Sequence, residues 1–305
     1  MSTTWFLRPA ALLALTGASA MLLSAQTNYR TALPGTVNYV EGQVSVDGRA
    51  LGTRQEGNTQ LQPNQSLSTG NGKVEMLLSP GVFVRLGGNS EVRLVSNGIV
   101  NPTIEVTRGE VMVEADSKPN DGQLTVLEHG AKASILKPGL YRFNLDGNLI
   151  AVLDGKLRVT ENDKTKELGK GHELNLTNPK LKSVGFDVKA QDDLYQWSSV
   201  RSSYLAEANQ MTAQSAYMGY GPWWGSGWYW SPYFATWSWL PGDGFFYSPF
   251  GYPFFSPGFA YYSRGFYGYR GGFGARAGVS GFARGSFRGA AVGGGGFHGG
   301  GGGRR

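Results

Sequence analysis

Few side chains in this chain have the type and spacing to carry a reaction. The sequence contains no cysteine, which removes thiolate metal sites, cysteine nucleophiles, disulfide frameworks and a lipid-modified cysteine. Its three histidines, His129, His172 and His298, show no His-Glu-x-x-His spacing. A metal site would need them gathered from distant points, so each reads as a surface histidine, and neither metal nor cofactor is expected. Glu110 and Glu114 flank Val-Met-Val, a spacing that puts both on one face of a strand. They read as a solvated face rather than an acid/base pair. No Gly-x-Ser-x-Gly, phosphate loop or dinucleotide fingerprint occurs. Asn64-Gln65-Ser66 and Asn175-Leu176-Thr177 match a glycosylation pattern that matters only in a eukaryotic secretory context. The expectation is a protein that is not an enzyme.

Binding chemistry is more evident. Between residues 217 and 267, 23 of 51 residues are aromatic. Trp223, Trp224, Trp228, Trp230, Trp237 and Trp239 could stack on sugar rings, and Arg264 and Arg270 could pair with anions. From 217 onward there are seven arginines and one acid, Asp243, so the net charge of +6 belongs entirely to this end. Arg-Gly pieces such as Tyr269-Arg-Gly-Gly-Phe suit RNA physically, but export argues against nucleic acid as a partner. The same chemistry suits an anionic polysaccharide surface, acidic headgroups or another envelope protein. The favoured reading of this end is a low-complexity, disordered, self-associating tail with no core of its own and no single ligand. A membrane span is not expected. Trp and Tyr prefer the interface to the hydrocarbon centre, and Pro222, Pro232 and Pro241 leave helical pieces too short to cross.

Compartment follows from the first residues, MSTTWFLRPAALLALTGASAMLLSAQ. One early charge at Arg8, an apolar run to about Leu23 and small residues at Ser24 and Ala25 have the layout of a secretory signal peptide. The expected cleavage follows Ala25, or Ala20, and the product is periplasmic, surface-bound or secreted. Five segments result: 1–25 signal peptide, 33–185 β domain, 190–214 amphipathic helix, 217–267 aromatic segment and 268–305 Gly/Arg tail.

The elements that must position any contact residue are strands. From Leu33 the apolar residues alternate with period two, and Asp/Asn-Gly pairs recur at 47–48, 71–72, 97–98, 121–122, 146–147 and 154–155. Such pairs supply the positive φ of tight turns. The recurring Gly-x-apolar-x-apolar pieces at Gly42, Gly109 and Gly155 read as turns feeding short strands. An all-β sandwich, jelly roll or β-helix is the expected class. Leu194, Trp197, Arg201, Tyr204, Leu205, Ala208 and Met211 then fall at helical spacing, with Asp192 or Asp193 as cap. This stripe is expected to pack on the β domain. In the alternative, Leu194, Trp197, Tyr204 and Leu205 form a face for a partner.

The order of these pieces is similar to the FecR domain family: Val37 to Gly48, Leu67 to Gly81, Leu86 to Leu94, Gly109 to Val113, then Thr125 to Phe143 with KPGLYRF, VLDGKLRV and LGKGHELNL. The resemblance covers roughly residues 33–178. It implies a compact extracytoplasmic β domain that acts in signalling or envelope assembly through protein contacts, without catalysis. Regulators of that kind also carry a sigma-binding helical segment and a membrane span, whereas this sequence begins with a signal-like stretch, so the β module alone is carried over. The functional expectation is an envelope scaffold or sensor. Carbohydrate binding through the aromatic tail, or a part in FecR-type transmembrane signalling, are the alternatives.

Overall fold

The computed structural model describes residues 32–117, 124–219 and 225–261. Fifteen strands between Thr36 and Gly185 form one sheet. In chain order they are β1 (Thr36–Val46), β2 (Arg49–Leu51), β3 (Ser66–Ser79), β4 (Val82–Leu86), β5 (Glu91–Ser96), β6 (Thr103–Arg108), β7 (Glu110–Ala115) and β8 (Leu124–Glu128). There follow β9 (Ala131–Ile135), β10 (Gly139–Asn144), β11 (Leu149–Asp154), β12 (Lys156–Glu161), β13 (Lys164–Gly169), β14 (His172–Asn175) and β15 (Ser183–Gly185). The hydrogen-bonded order runs β13-β12-β9-β8-β6-β5-β3-β4-β7-β10-β11-β14-β15, with β1 and β2 alongside β3. Neighbours are antiparallel except for β6 and β8, which excludes a parallel β-helix.

The long strands β1 and β3 fold this sheet into two layers. The first part of β3 pairs with β5 and the second with β4. Between them, Gly42 of β1 faces Gly72 of β3. A Cβ on Gly42 would lie 2.4 Å from the Asn71 carbonyl oxygen, and one on Gly72 would lie 2.4 Å from that of Glu41. Only glycine allows two backbones to bend past each other this closely. Asn71-Gly72 is therefore a mid-strand corner, not the turn its sequence suggests. The pair at Asp47-Gly48 does make the β1–β2 turn, with φ of 47° and 75°. Gly109 and Gly155, both at positive φ, mark places where the chain leaves one layer for the other. Val74, Met76, Val84, Val111 and Val113 from one layer meet Val92, Leu94, Ile104 and Val126 from the other in a continuous core. The two ends of the sheet approach each other, with β13 beside β11 and β14.

One layer is buried on both faces, so its strands read as unbroken buried runs (Val82–Leu86 and Val111–Ala115). Its outer face is covered by helix α1 (Asp193–Tyr217), which Asp192 caps by accepting a hydrogen bond from the Tyr195 N–H. Beyond the helix come two hairpins, β16 (Gly227–Ser231) with β17 (Thr236–Leu240), and β18 (Phe245–Tyr247) with β19 (Pro253–Phe255). This corrects the expectation of a coreless tail for residues 225–261. Alternation places Trp228, Trp237, Trp239 and Phe254 against Leu77, Phe83 and Leu205 as a second core. Fully burying a large apolar side chain stabilises by about 1.5–3 kcal/mol, and this segment contributes several.

Candidate functional site

The outer face of the covered layer carries charge where a sheet usually carries apolar residues. Alternation on β3, β4 and β7 points Glu75, Arg85 and Glu114 to the same side, and all three are fully buried. Arg85 Nε donates to Glu75 Oε2 at 2.8 Å, and its Nη1 pairs with Glu114. From α1, Arg201 Nη2 donates to Glu75 Oε1 at 2.9 Å, and the Ser202 hydroxyl donates to Glu114 Oε1 at 2.7 Å. The Arg201 guanidinium also lies over the Tyr39 ring, 4.1 Å from its centroid. Burial alone would raise the Glu75 pKa, but Arg201 and then Arg85 outweigh it and hold the carboxyl down at about 2. Next to this group lies buried Asp116, whose carboxyl sits beside that of Glu114. Burial first, then the Glu114 charge, push its carboxyl well above the usual range. Within the ion-paired group, the Glu75 and Glu114 carboxylates face the Arg85 and Arg201 guanidiniums, the pairing that makes burying charge tolerable.

This arrangement overturns the solvated reading of Glu110 and Glu114. Glu114 is sealed beneath the helix, and Glu110 is half-buried beside Arg142. Burial raises the Glu110 pKa.

Two buried asparagines join the hairpins to this base. Asn38 Nδ2 donates to Glu75 Oε1 (2.9 Å) and to the Trp237 carbonyl (3.1 Å), while its Oδ1 accepts from the Trp237 N–H (2.9 Å). Asn209 of α1 donates to the Trp239 and Phe255 carbonyls (2.8 and 3.0 Å) and accepts from the Phe255 N–H (2.8 Å). Each amide acts as a substitute peptide group for a strand edge that has no strand beside it. Strand, helix and hairpin are thereby fixed as one unit.

The predicted contact residues divide accordingly. Trp228, Trp237 and Trp239 are buried and serve packing, so they present no stacking face. Trp230 is 40% exposed and meets Trp237 edge-on at 5.4 Å. Trp223, Trp224, Arg264 and Arg270 lie outside the described residues, as do the expected signal peptide and the Gly/Arg tail. On the helix, Leu194 and Leu205 are buried. Trp197 donates from Nε1 to Glu41 (2.9 Å), and the Tyr204 hydroxyl donates to the Phe234 carbonyl (2.8 Å). Leu194 and Leu205 are thus taken up by the chain's own packing, while Tyr204 stays 36% exposed. Beside the expected Arg201, the helix's buried stripe also includes Ser198, Ser202 and Asn209, polar positions that an apolar periodicity does not reveal.

What remains on the surface is aromatic. All three residues of β18, Phe245, Phe246 and Tyr247, are exposed. Phe259 lies 4.7 Å and Tyr247 5.5 Å from Phe245 between ring centroids, and Tyr217 stacks on Tyr261 at 4.2 Å. Between Glu207 and Arg264 the only charged residue is Asp243. An uncharged aromatic surface of this kind marks a contact site more often than a solvated face. No helix among the described residues is long and apolar enough to cross a membrane.

Fold and surfaces together define an all-β sandwich covered on one side by its own C-terminal helix and aromatic hairpins. No family model matches the chain, and no curated protein matches it. Two crystal structures of a candidate anti-sigma factor from Parabacteroides distasonis are similar at 17% identity and a TM-score of 0.36, covering 41% of this chain and 61% of that one. The chain thus spans less than two thirds of that protein's length, and a likeness of this degree assigns neither family nor activity.

Proposed function

We propose that the chain is a non-enzymatic contact module of the cell envelope, an exported FecR-like β domain that acts as scaffold or sensor. The observation that carries this reading is the aromatic surface of Phe245, Phe246, Tyr247 and Phe259, held on a rigid base by the buried Arg201–Glu75 link and the two asparagine clamps. A side-chain array fixed in this way loses little conformational freedom when it meets a partner, which favours binding.

Removing residues 217–305 would not test the idea cleanly, because it strips the cover from Leu77 and Phe83. The triple substitution Phe245→Ser, Tyr247→Ser, Phe259→Ser alters exposed positions instead. We expect unchanged far-ultraviolet circular dichroism and loss of the protein from the envelope fraction of the cells that make it. Retention of the folded triple variant at the wild-type level would overturn the reading.

Glycan stacking is the second reading, and it draws on Trp230 and the neighbouring Tyr233, which is 77% exposed. A saturable change in tryptophan emission with cell-wall polysaccharide, lost in Trp230→Ala, would favour it. FecR-type signalling would instead show as a regulator or receptor recovered by crosslinking.

A further inference from the structure

The two ends of the sheet leave an open cleft of roughly 400 Å³, lined by Lys164, Thr165, Lys166, Lys180, Leu181 and Lys182. We infer that this cleft binds an acidic saccharide, that is, a sugar unit bearing a carboxylate or sulfate. The site is separate from the aromatic surface and from the function proposed for it.

Four lysines and no carboxylate line the cleft. Among the described residues none of the four forms an ion pair with a carboxylate: Glu167 of β13 is held by Lys156 and Arg158. Glu161 stands opposite Lys164 in register but makes no ion pair with it. Positive charges that are mutually close and uncompensated raise the local anion concentration.

The cleft is also built rather than incidental. On β13, Lys164, Lys166 and Leu168 alternate onto one side, and burial of Leu168 in the core fixes that side. Across the seam, the Lys180 N–H donates to Asn178 Oδ1 at 3.0 Å and the Leu181 N–H to the Asn178 carbonyl at 2.9 Å. Leu181 sits at a φ of +46°, a conformation that leucine rarely adopts. Its side chain is nevertheless buried in the core, and this anchoring turns the flanking Lys180 and Lys182 outward. Strained backbone of this kind persists where the surroundings over-determine it, and it clusters at ligand sites. Lys164 Nζ donates to the Pro179 carbonyl at 2.8 Å and ties the two sides together. On its seam side β13 has no strand partner, so edge N–H groups add hydrogen-bond donors.

The chemistry selects the ligand. The volume suits one or two sugar rings rather than a duplex groove. Lysine ammonium groups act as separate point charges, unlike the planar fork with which arginine grips a single phosphate. They match single charges spaced along a saccharide.

The test is titration of the full chain with polygalacturonate, dextran sulfate, uncharged dextran and phosphatidylglycerol vesicles. We expect saturable binding to one or both anionic polysaccharides, the arm that binds telling carboxylate from sulfate, and none to dextran. Each lysine near an anionic surface contributes roughly fivefold, so Lys166→Gln with Lys182→Gln should weaken binding more than about tenfold. The corresponding double arginine variant should stay within about twofold, as should Arg264→Gln with Arg270→Gln. All four cleft lysines are exposed, so circular dichroism should not change. Wild-type affinity in the glutamine variant, tighter binding to vesicles than to either polysaccharide, or no binding to any anion would each overturn the inference.

Discussion

Replacing Arg201 with methionine tests whether the helix is joined to the sheet by charge or merely by packing. The side chain is 7% exposed and meets the fully buried Glu75 at 2.9 Å. Methionine keeps most of the volume over Tyr39 but leaves Glu75 with Arg85 as its sole cation. Removing one partner of a buried pair costs about 3–5 kcal/mol, and loss of the cation–π contact adds about 1 kcal/mol. The effect has a pH signature. Glu75 is lowered from 4.5 to about 2, so the folded state favours its ionised form by about 3 kcal/mol, at 1.36 kcal/mol per unit. A depressed carboxyl pKa gives stability that is present above about pH 4.5 and fades as pH falls toward 2. The penalty of Arg201→Met, read from urea unfolding, should therefore be about 4 kcal/mol at pH 7 and about 2 kcal/mol smaller at pH 3. A penalty below 1 kcal/mol at pH 7, or one equal at both pH values, would refute the ionic account. A cycle with Glu75→Gln isolates the coupling, since the Met/Gln pair should recover part of the loss.

Two further substitutions probe the buried polar groups. Glu128 faces inward beside Val126, neither oxygen hydrogen-bonded among the described residues, and burial raises its carboxyl to about 8. A raised carboxyl pKa means stability that is full below about pH 4.5 and lost as pH climbs to about 8. Glu128→Gln should then stabilise the fold by up to about 4 kcal/mol more at pH 8 than at pH 5, as urea midpoints at the two pH values would show; a pH-independent difference would contradict this. Asn209→Ala removes three hydrogen bonds at a fully buried position and strands the backbone groups they satisfied. It should lower stability by about 2–4 kcal/mol, with faster hydrogen exchange at Phe255 as the local readout.

Much of the β domain was legible because its signals are local. The alternation in β5 and β6, the Asp47-Gly48 turn and the Asp192 cap each depend on residues within one element. Asn71-Gly72 misled because glycine serves a close backbone crossing as readily as a turn, and the partner that decides, Gly42, lies in another strand. The aromatic segment misled through its composition. Repeated Pro, Gly and Trp read as a coreless tail, yet Trp228 and Trp239 sit opposite each other across a hairpin register.

By itself, the sequence determined an all-β chain followed by one capped helix, because strand and helix periodicities and turn chemistry are carried by neighbouring residues. Only the tertiary structure decided which charges are buried, which tryptophans are surface and which lysines share a cleft. Asn38 and Trp237 are 199 positions apart, and Arg201 and Glu75 are 126 apart. Pairings at such separations leave no periodic trace in the chain, since their energy arises only once folding has removed both partners from water.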